Sequence, residues 1–122
     1  MKFEGNHELP SLEFIEDEGK LKIWGRSTSI EARADFWEPL IDKMDEYLND
    51  PCDIVIELDF EYFSTVSAKL ILEFLYLCQS KAVQHSRKTL VKWIYDDDDG
   101  REAGEDYASM VNKINWKFIN KL

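Results

Sequence analysis

The chain has 122 residues, 44% of them apolar, with 25 acidic against 15 basic side chains and a net charge of −10. That length predicts one domain spanning residues 1–122, with enough apolar material for a hydrophobic core. The acidic balance disfavours binding to nucleic acid, which needs clustered Lys and Arg, and docking on anionic membranes.

The N-terminal MKFEGNHELP has no signal-peptide apolar run, and no stretch is long enough to span a bilayer. The expected location is cytoplasmic. The two cysteines, Cys52 and Cys78, lack metal-knuckle or redox spacing and read as unlinked thiols in a reducing compartment.

Leu12 to Glu16 and Leu21 to Trp24 alternate in the manner of strands, joined by a turn at Asp17-Glu18-Gly19-Lys20. Together they predict a β-hairpin, which Gly25-Arg26-Ser27 then breaks. Thr28 and Glu31 have the spacing of a capping box. Phe36, Trp37, Leu40, Ile41, Met44, Tyr47 and Leu48 keep helical spacing, with Pro39 inside the run. Pro39 predicts a bend, or a break between a loose first turn and the main helix. Asn49-Asp50-Pro51 ends the helix.

The strongest signals lie between Asp53 and Val83. Ile54, Ile56, Leu58 and Phe60 alternate with Val55, Glu57, Asp59 and Glu61, which predicts a strand. From Ala68 onward, Ile71, Leu72, Leu75 and Cys78 recur at helical spacing, and Leu70, Phe74 and Leu77 widen the stripe. A helix over Ser67–Val83, largely buried, is expected. Between strand and helix lies Tyr62-Phe63-Ser64-Thr65-Val66-Ser67, a turn crowded with hydroxyls. Such hydroxyls cap the free N–H groups of a helix start. The same place also suits a phosphoryl group or other anion, because free N–H groups and the helix dipole meet there.

Lys81 to Lys88 reads as a polar connection, and Thr89 to Tyr95 as a further strand. The Asp96-Asp97-Asp98-Asp99-Gly100 run lacks the alternate-ligand spacing of a calcium loop and reads as a solvated acidic loop. No metal site is expected; His7 and His85 have no partner at ligand spacing. Arg101 to Ile114 predicts an amphipathic helix carrying Gly104. Trp116 to Leu122 fits an edge strand or a short helix.

The order β-β-α-β-α-β-α predicts an α/β fold: a mixed sheet packed against helices, with the Asp53–Phe60 strand in its interior. The Tyr62–Ser67 turn and the Asp96–Gly100 loop both follow the carboxyl ends of strands, where such sheets carry their sites. No glycine-rich phosphate loop, nucleophile elbow or metalloprotease helix is present. No cofactor is implied, and a binding or regulatory domain is expected rather than an enzyme.

Four segments carry a resemblance: Gly25-Arg26-Ser27 with Phe36, Glu38 and Pro39; Tyr62 through Lys69; Trp93-Ile94-Tyr95 leading into the Asp run; and Gly104-Glu105-Asp106-Tyr107. In this order they resemble the SiaC-like biofilm-regulating phosphoproteins, over about Leu12 to Tyr107. The resemblance implies a STAS-like fold, the anti-sigma-factor-antagonist type, and a non-enzymatic partner switch. It implies phosphorylation on Thr65 by a kinase with a histidine-kinase-like ATP-binding fold, and dephosphorylation by a PP2C-type phosphatase. The unphosphorylated form would bind and activate a diguanylate cyclase, which links it to cyclic-di-GMP signalling. Ser64 and Ser67 are the alternative acceptors. Tyr62, Phe63, Ser64, Thr65, Ser67 and Lys69 would form the partner-binding surface. Here Ser64 stands where the family usually has Asn, and Val66 where it often has Ser. The alternative function is a STAS-like domain binding a nucleotide or other anion at the same helix start.

Overall fold

A computed structural model describes residues 1–50 and 52–122. Its six strands form one sheet in the order of the chain. They are β1 (Lys2–Phe3), β2 (Ser11–Ile15), β3 (Lys20–Ser27), β4 (Ile54–Phe63), β5 (Thr89–Tyr95) and β6 (Asn115–Asn120). Three helices alternate with the later strands: α1 (Glu38–Tyr47), α2 (Thr65–His85) and α3 (Asp98–Met110). The pairs β1–β2 and β2–β3 are antiparallel, and β3–β4, β4–β5 and β5–β6 are parallel. The mixed α/β sheet and the interior place of β4 are as the sequence predicts. The short β1 was not anticipated; two residues carry no periodicity to read.

The three parallel crossovers each step one strand in the same direction. Right-handed connections therefore set all three helices on one face of the sheet. That face is the core. It holds Leu21 and Ile23 of β3, Ile54, Ile56 and Leu58 of β4, Val91 and Trp93 of β5, and the inner faces of the helices. The other face carries Lys2, Glu13, Lys22, Glu57, Lys92 and Lys117 as one row of register partners across the sheet. Opposite charges sit side by side along most of this row, which suits an uncovered face.

Several local expectations are corrected. Gly25-Arg26-Ser27 does not break the hairpin strand. β3 runs to Ser27, with a register shift between Gly25 and Arg26, and Gly25 takes φ 106° to allow it. The capping box at Thr28 is not formed; Ser29 Oγ instead accepts from the Glu31 N–H at 3.0 Å. Of the two outcomes for Pro39, the break is realised. A π turn, Arg33–Trp37, runs into α1 with helical backbone through Trp37 and Glu38, and Pro39, which has no N–H to give, stands where the hydrogen-bond pattern changes. The polar Lys81–Lys88 segment is mostly helix, since α2 continues to His85 and ends at Ser86 with φ 51°. The acidic run is less a loop than a helix start. Asp97 is the N-cap of α3, its carboxylate accepting from the Gly100 N–H at 2.7 Å, and Asp98 and Asp99 lie in the first turn. Carboxylates there face the positive end of the helix dipole. The tail is an edge strand, β6, paired parallel to β5. Of Asn49-Asp50-Pro51, the first two form a turn, and Pro51 lies outside the described residues.

Candidate functional site at the carboxyl end of the sheet

β4 is longer than its alternation suggests and carries Tyr62 and Phe63 to the top of the sheet. The whole strand-to-helix turn is then one residue, Ser64. Its N–H donates to the Ser27 carbonyl at 3.0 Å, which ties the turn to the end of β3. Its Oγ accepts from the Ser67 N–H at 3.2 Å, and its carbonyl accepts from Ala68 N–H at 2.8 Å. Ser64 is therefore the N-cap of α2.

The three hydroxyls of the turn have separate fates. The Ser64 hydroxyl is engaged as the cap. Ser67 is completely buried, with its Oγ 2.7 Å from Ser27 Oγ. This corrects the expected partner surface, from which Ser67 drops out. Thr65, the first residue of the helix, is exposed. Of the first-turn N–H groups, those of Ser67 and Ala68 are taken by Ser64, which leaves those of Thr65 and Val66. Tyr62, Val66 and Lys69 are exposed beside Thr65, and Phe63 is half-buried.

Thr65 opens onto a groove of about 360 Å³ between α2 and α3. Phe63, Ala68, Leu72, Ala103, Tyr107 and Met110 make its walls, with Lys69 and Asp106 as its charged members. Beneath it, Phe63, Trp93 and Tyr107 pack ring to ring, with centroids 5.5 to 6.4 Å apart. Tyr107 OH donates to the Ala68 carbonyl at 2.8 Å and so fastens α3 to the first turn of α2. Burial raises the Tyr107 pKa, so the phenol stays protonated and keeps donating.

Phe63 and Ala103 also border a second cleft, of about 320 Å³, which brings Glu61 and Tyr62 together with Tyr95, Asp96, Asp97 and Asp99. The turn after β4 and the acidic segment after β5 are thus neighbours. Arg26 reaches over the Tyr62 ring at 5.4 Å and pairs with Glu61 at 3.6 Å. His7 and His85 lie apart from this end: His7 is exposed near the N-terminus and His85 ends α2.

Sequence reasoning missed the contribution of α3. Ala103, Asp106, Tyr107 and Met110 line the groove, and the small Gly104 lets the helix lie on Trp93. The Gly104-Glu105-Asp106-Tyr107 run is the one signal that pointed there. Trp37, whose Nε1 donates to Ser27 Oγ at 3.1 Å, is a second omission. Its helical spacing marks it as core, and nothing local reveals a hydrogen bond to the strand.

A family model described as SiaC family regulatory phosphoprotein matches residues 3–121. Solved structures share the fold. A chain from the complex of diguanylate cyclase SiaD with its activator SiaC, from Pseudomonas aeruginosa, superposes with a TM-score of 0.89. It is 20% identical, and the match covers 98% of each chain. Apo-SiaC from the same organism gives a TM-score of 0.86 at 20% identity, covering 98% of this chain and 97% of that one. No curated protein matches the chain.

Proposed function

Since this chain belongs to the SiaC family of regulatory phosphoproteins, we propose that it is a partner switch without catalytic activity of its own, set by reversible phosphorylation of Thr65. In the unphosphorylated form it binds and activates a diguanylate cyclase, and through cyclic-di-GMP it regulates biofilm formation. A serine/threonine kinase with a histidine-kinase-like ATP-binding fold adds the phosphate, and a PP2C-type phosphatase removes it.

One observation carries this reading: Thr65 is the exposed hydroxyl of the turn, while Ser64 caps the helix and Ser67 is buried. The solved complex of SiaD with its activator SiaC supports a cyclase as the output. Phosphorylation adds about −1.5 to −2 charges and three acceptor oxygens. The N–H groups of Thr65 and Val66 and the ammonium of Lys69, one turn on, stabilise that charge within the domain. Phosphorylation therefore leaves the fold standing and changes the surface. A partner seated in the groove against a neutral threonine must now bury a dianion beside Asp106, which costs several kcal/mol. The anion-binding alternative is less well supported, because Glu61, Asp96, Asp97 and Asp99 crowd the adjoining cleft.

The test is incubation with the kinase, mass spectrometry of residues 59–69, and calorimetry of cyclase binding before and after. Phosphate is expected on Thr65, with binding weakened by two or more orders of magnitude, roughly the effect of a few kcal/mol. Thr65→Ala keeps fold and binding and refuses phosphate. Phosphate on Ser64 with Thr65 unmodified overturns the assignment. Undiminished binding by the Thr65-phosphorylated protein overturns the mechanism.

A further inference from the structure

At the opposite end of β4 from Thr65 lies a cluster with no part in this switch. Arg87, just beyond α2, is 8% exposed. Its Nε and Nη2 are buried and have no hydrogen-bond partner among the described residues. Its Nη1 donates to Cys52 Sγ at 3.9 Å. Cys52 stands just ahead of β4, a free thiol with part of its surface open to solvent. It also meets the Tyr47 hydroxyl at 3.4 Å, while the Tyr47 proton goes to the Glu16 carbonyl at 2.9 Å.

A guanidinium is charged at every physiological pH, and burying it without an anion costs several kcal/mol. Sulfur is a weak acceptor and offsets little of that cost. Among the described residues Arg87 Nε and Nη2 therefore lack an acceptor oxygen, and the side chain that Nη1 does reach is Cys52, a residue partly open to solvent. We propose that Cys52 is an oxidative modification site, converted by hydroperoxides to a sulfenic acid whose new oxygen is the acceptor that Arg87 lacks.

In this step the sulfur attacks one peroxide oxygen. The S–O bond forms as the O–O bond breaks. Sulfur loses two electrons, and the peroxide is reduced to water or an alcohol as the thiol proton passes to the departing oxygen. Arg87 favours the step because it stabilises the thiolate that attacks, the charge that passes to the departing oxygen, and the oxygen of the resulting sulfenate. Cys78 is the internal control. It is fully buried, and burial pushes its thiol up to about 12, so it lacks both access and thiolate character.

The experiment treats the whole purified protein with hydrogen peroxide, traps sulfenic acid with dimedone and reads both cysteines by peptide mass spectrometry. Cys52 is expected to label at least about tenfold faster in the folded protein than in the urea-unfolded chain at the same pH, with Cys78 unlabelled while folded. Arg87→Met, checked for folding by circular dichroism, is expected to bring the Cys52 rate down to the unfolded level. Equal rates in the folded and unfolded wild-type chain overturn the proposal, and that comparison needs no variant. Cys78 labelling first, or an unchanged rate in a folded Arg87→Met protein, does the same.

Discussion

Ser27 Oγ and Ser67 Oγ lie 2.7 Å apart with no exposure to solvent, one at the end of β3 and the other in the first turn of α2. Trp37 Nε1 donates to the same Ser27 oxygen at 3.1 Å. Three segments are thus fixed to one another at the first turn of α2, the turn that carries Thr65, and Ser27 is the shared member. Removing Ser27 strands two polar groups, whereas removing Ser67 leaves Ser27 with the indole. Leaving a buried donor or acceptor without a partner costs about 1–3 kcal/mol. Ser67→Ala is expected to lower the unfolding free energy by about that amount, and Ser27→Ala by more. Urea denaturation of both variants checks the order; equal losses would mean that the indole bond contributes nothing.

Gly104 sits on the inner face of α3, and a Cβ built there runs into the Trp93 indole. Alanine is favoured over glycine in a helix by about 1 kcal/mol. Here that gain is opposed by overpacking, which typically costs about 1–3 kcal/mol. The Trp93 Nε1 bond to the Gly100 carbonyl, 2.9 Å, is strained as well when α3 shifts. Gly104→Ala is therefore expected to destabilise despite its better helix propensity. Thermal melting measures the sign. A stabilised variant would show that α3 is free to slide on the sheet.

The acidic run has a capping role, and it resides in one residue. Asp97 accepts from the Gly100 N–H, so Asp97→Ala is expected to cost about 1 kcal/mol, while Asp97→Asn, which keeps the acceptor, changes stability by only a few tenths. Denaturation midpoints distinguish the two. Calcium or magnesium at about 1 mM is expected to leave the melting temperature unchanged, since the run lacks calcium-loop spacing. Micromolar binding with a raised melting temperature would reverse that reading.

Alkaline pH should destabilise the fold in a defined window. Burial raises the Cys78 thiol from 9.0 to about 12. Burial, then the hydrogen bond with Cys52, raises Tyr47 from 10.0 to about 12. Burial raises Tyr107 likewise. In each case the folded state holds its proton to higher pH than the unfolded chain does. Their linkage contribution is intact below the unfolded values and declines as pH rises through the window from about 9 to about 12. Urea midpoints are expected to fall from pH 8 to pH 10.5. Cys78→Ala, less stable at neutral pH because of its cavity, should show a shallower decline. A flat profile in the wild type would show that these groups open to solvent before they titrate.

Much of the architecture is local and therefore legible in the chain. Alternation in Ile54, Ile56 and Leu58 marks β4, and the stripe from Leu70 to Cys78 marks α2, because side-chain period follows directly from backbone geometry. The crowding of hydroxyls at Ser64, Thr65 and Ser67 locates the helix start by the same logic. What each hydroxyl does there was not legible. Ser67 is buried because Ser27, 40 residues earlier, folds against it. Ser64 caps, and Thr65 is left exposed, because β4 runs on through Phe63 and compresses the turn to a single residue. The groove likewise exists only once Gly104 has let α3 close onto Trp93, and Arg87 meets Cys52 across 35 residues of chain. Periodicity is a property of neighbours along the backbone. Exposure, capping and pairing are decided by contacts that form only when the sheet assembles.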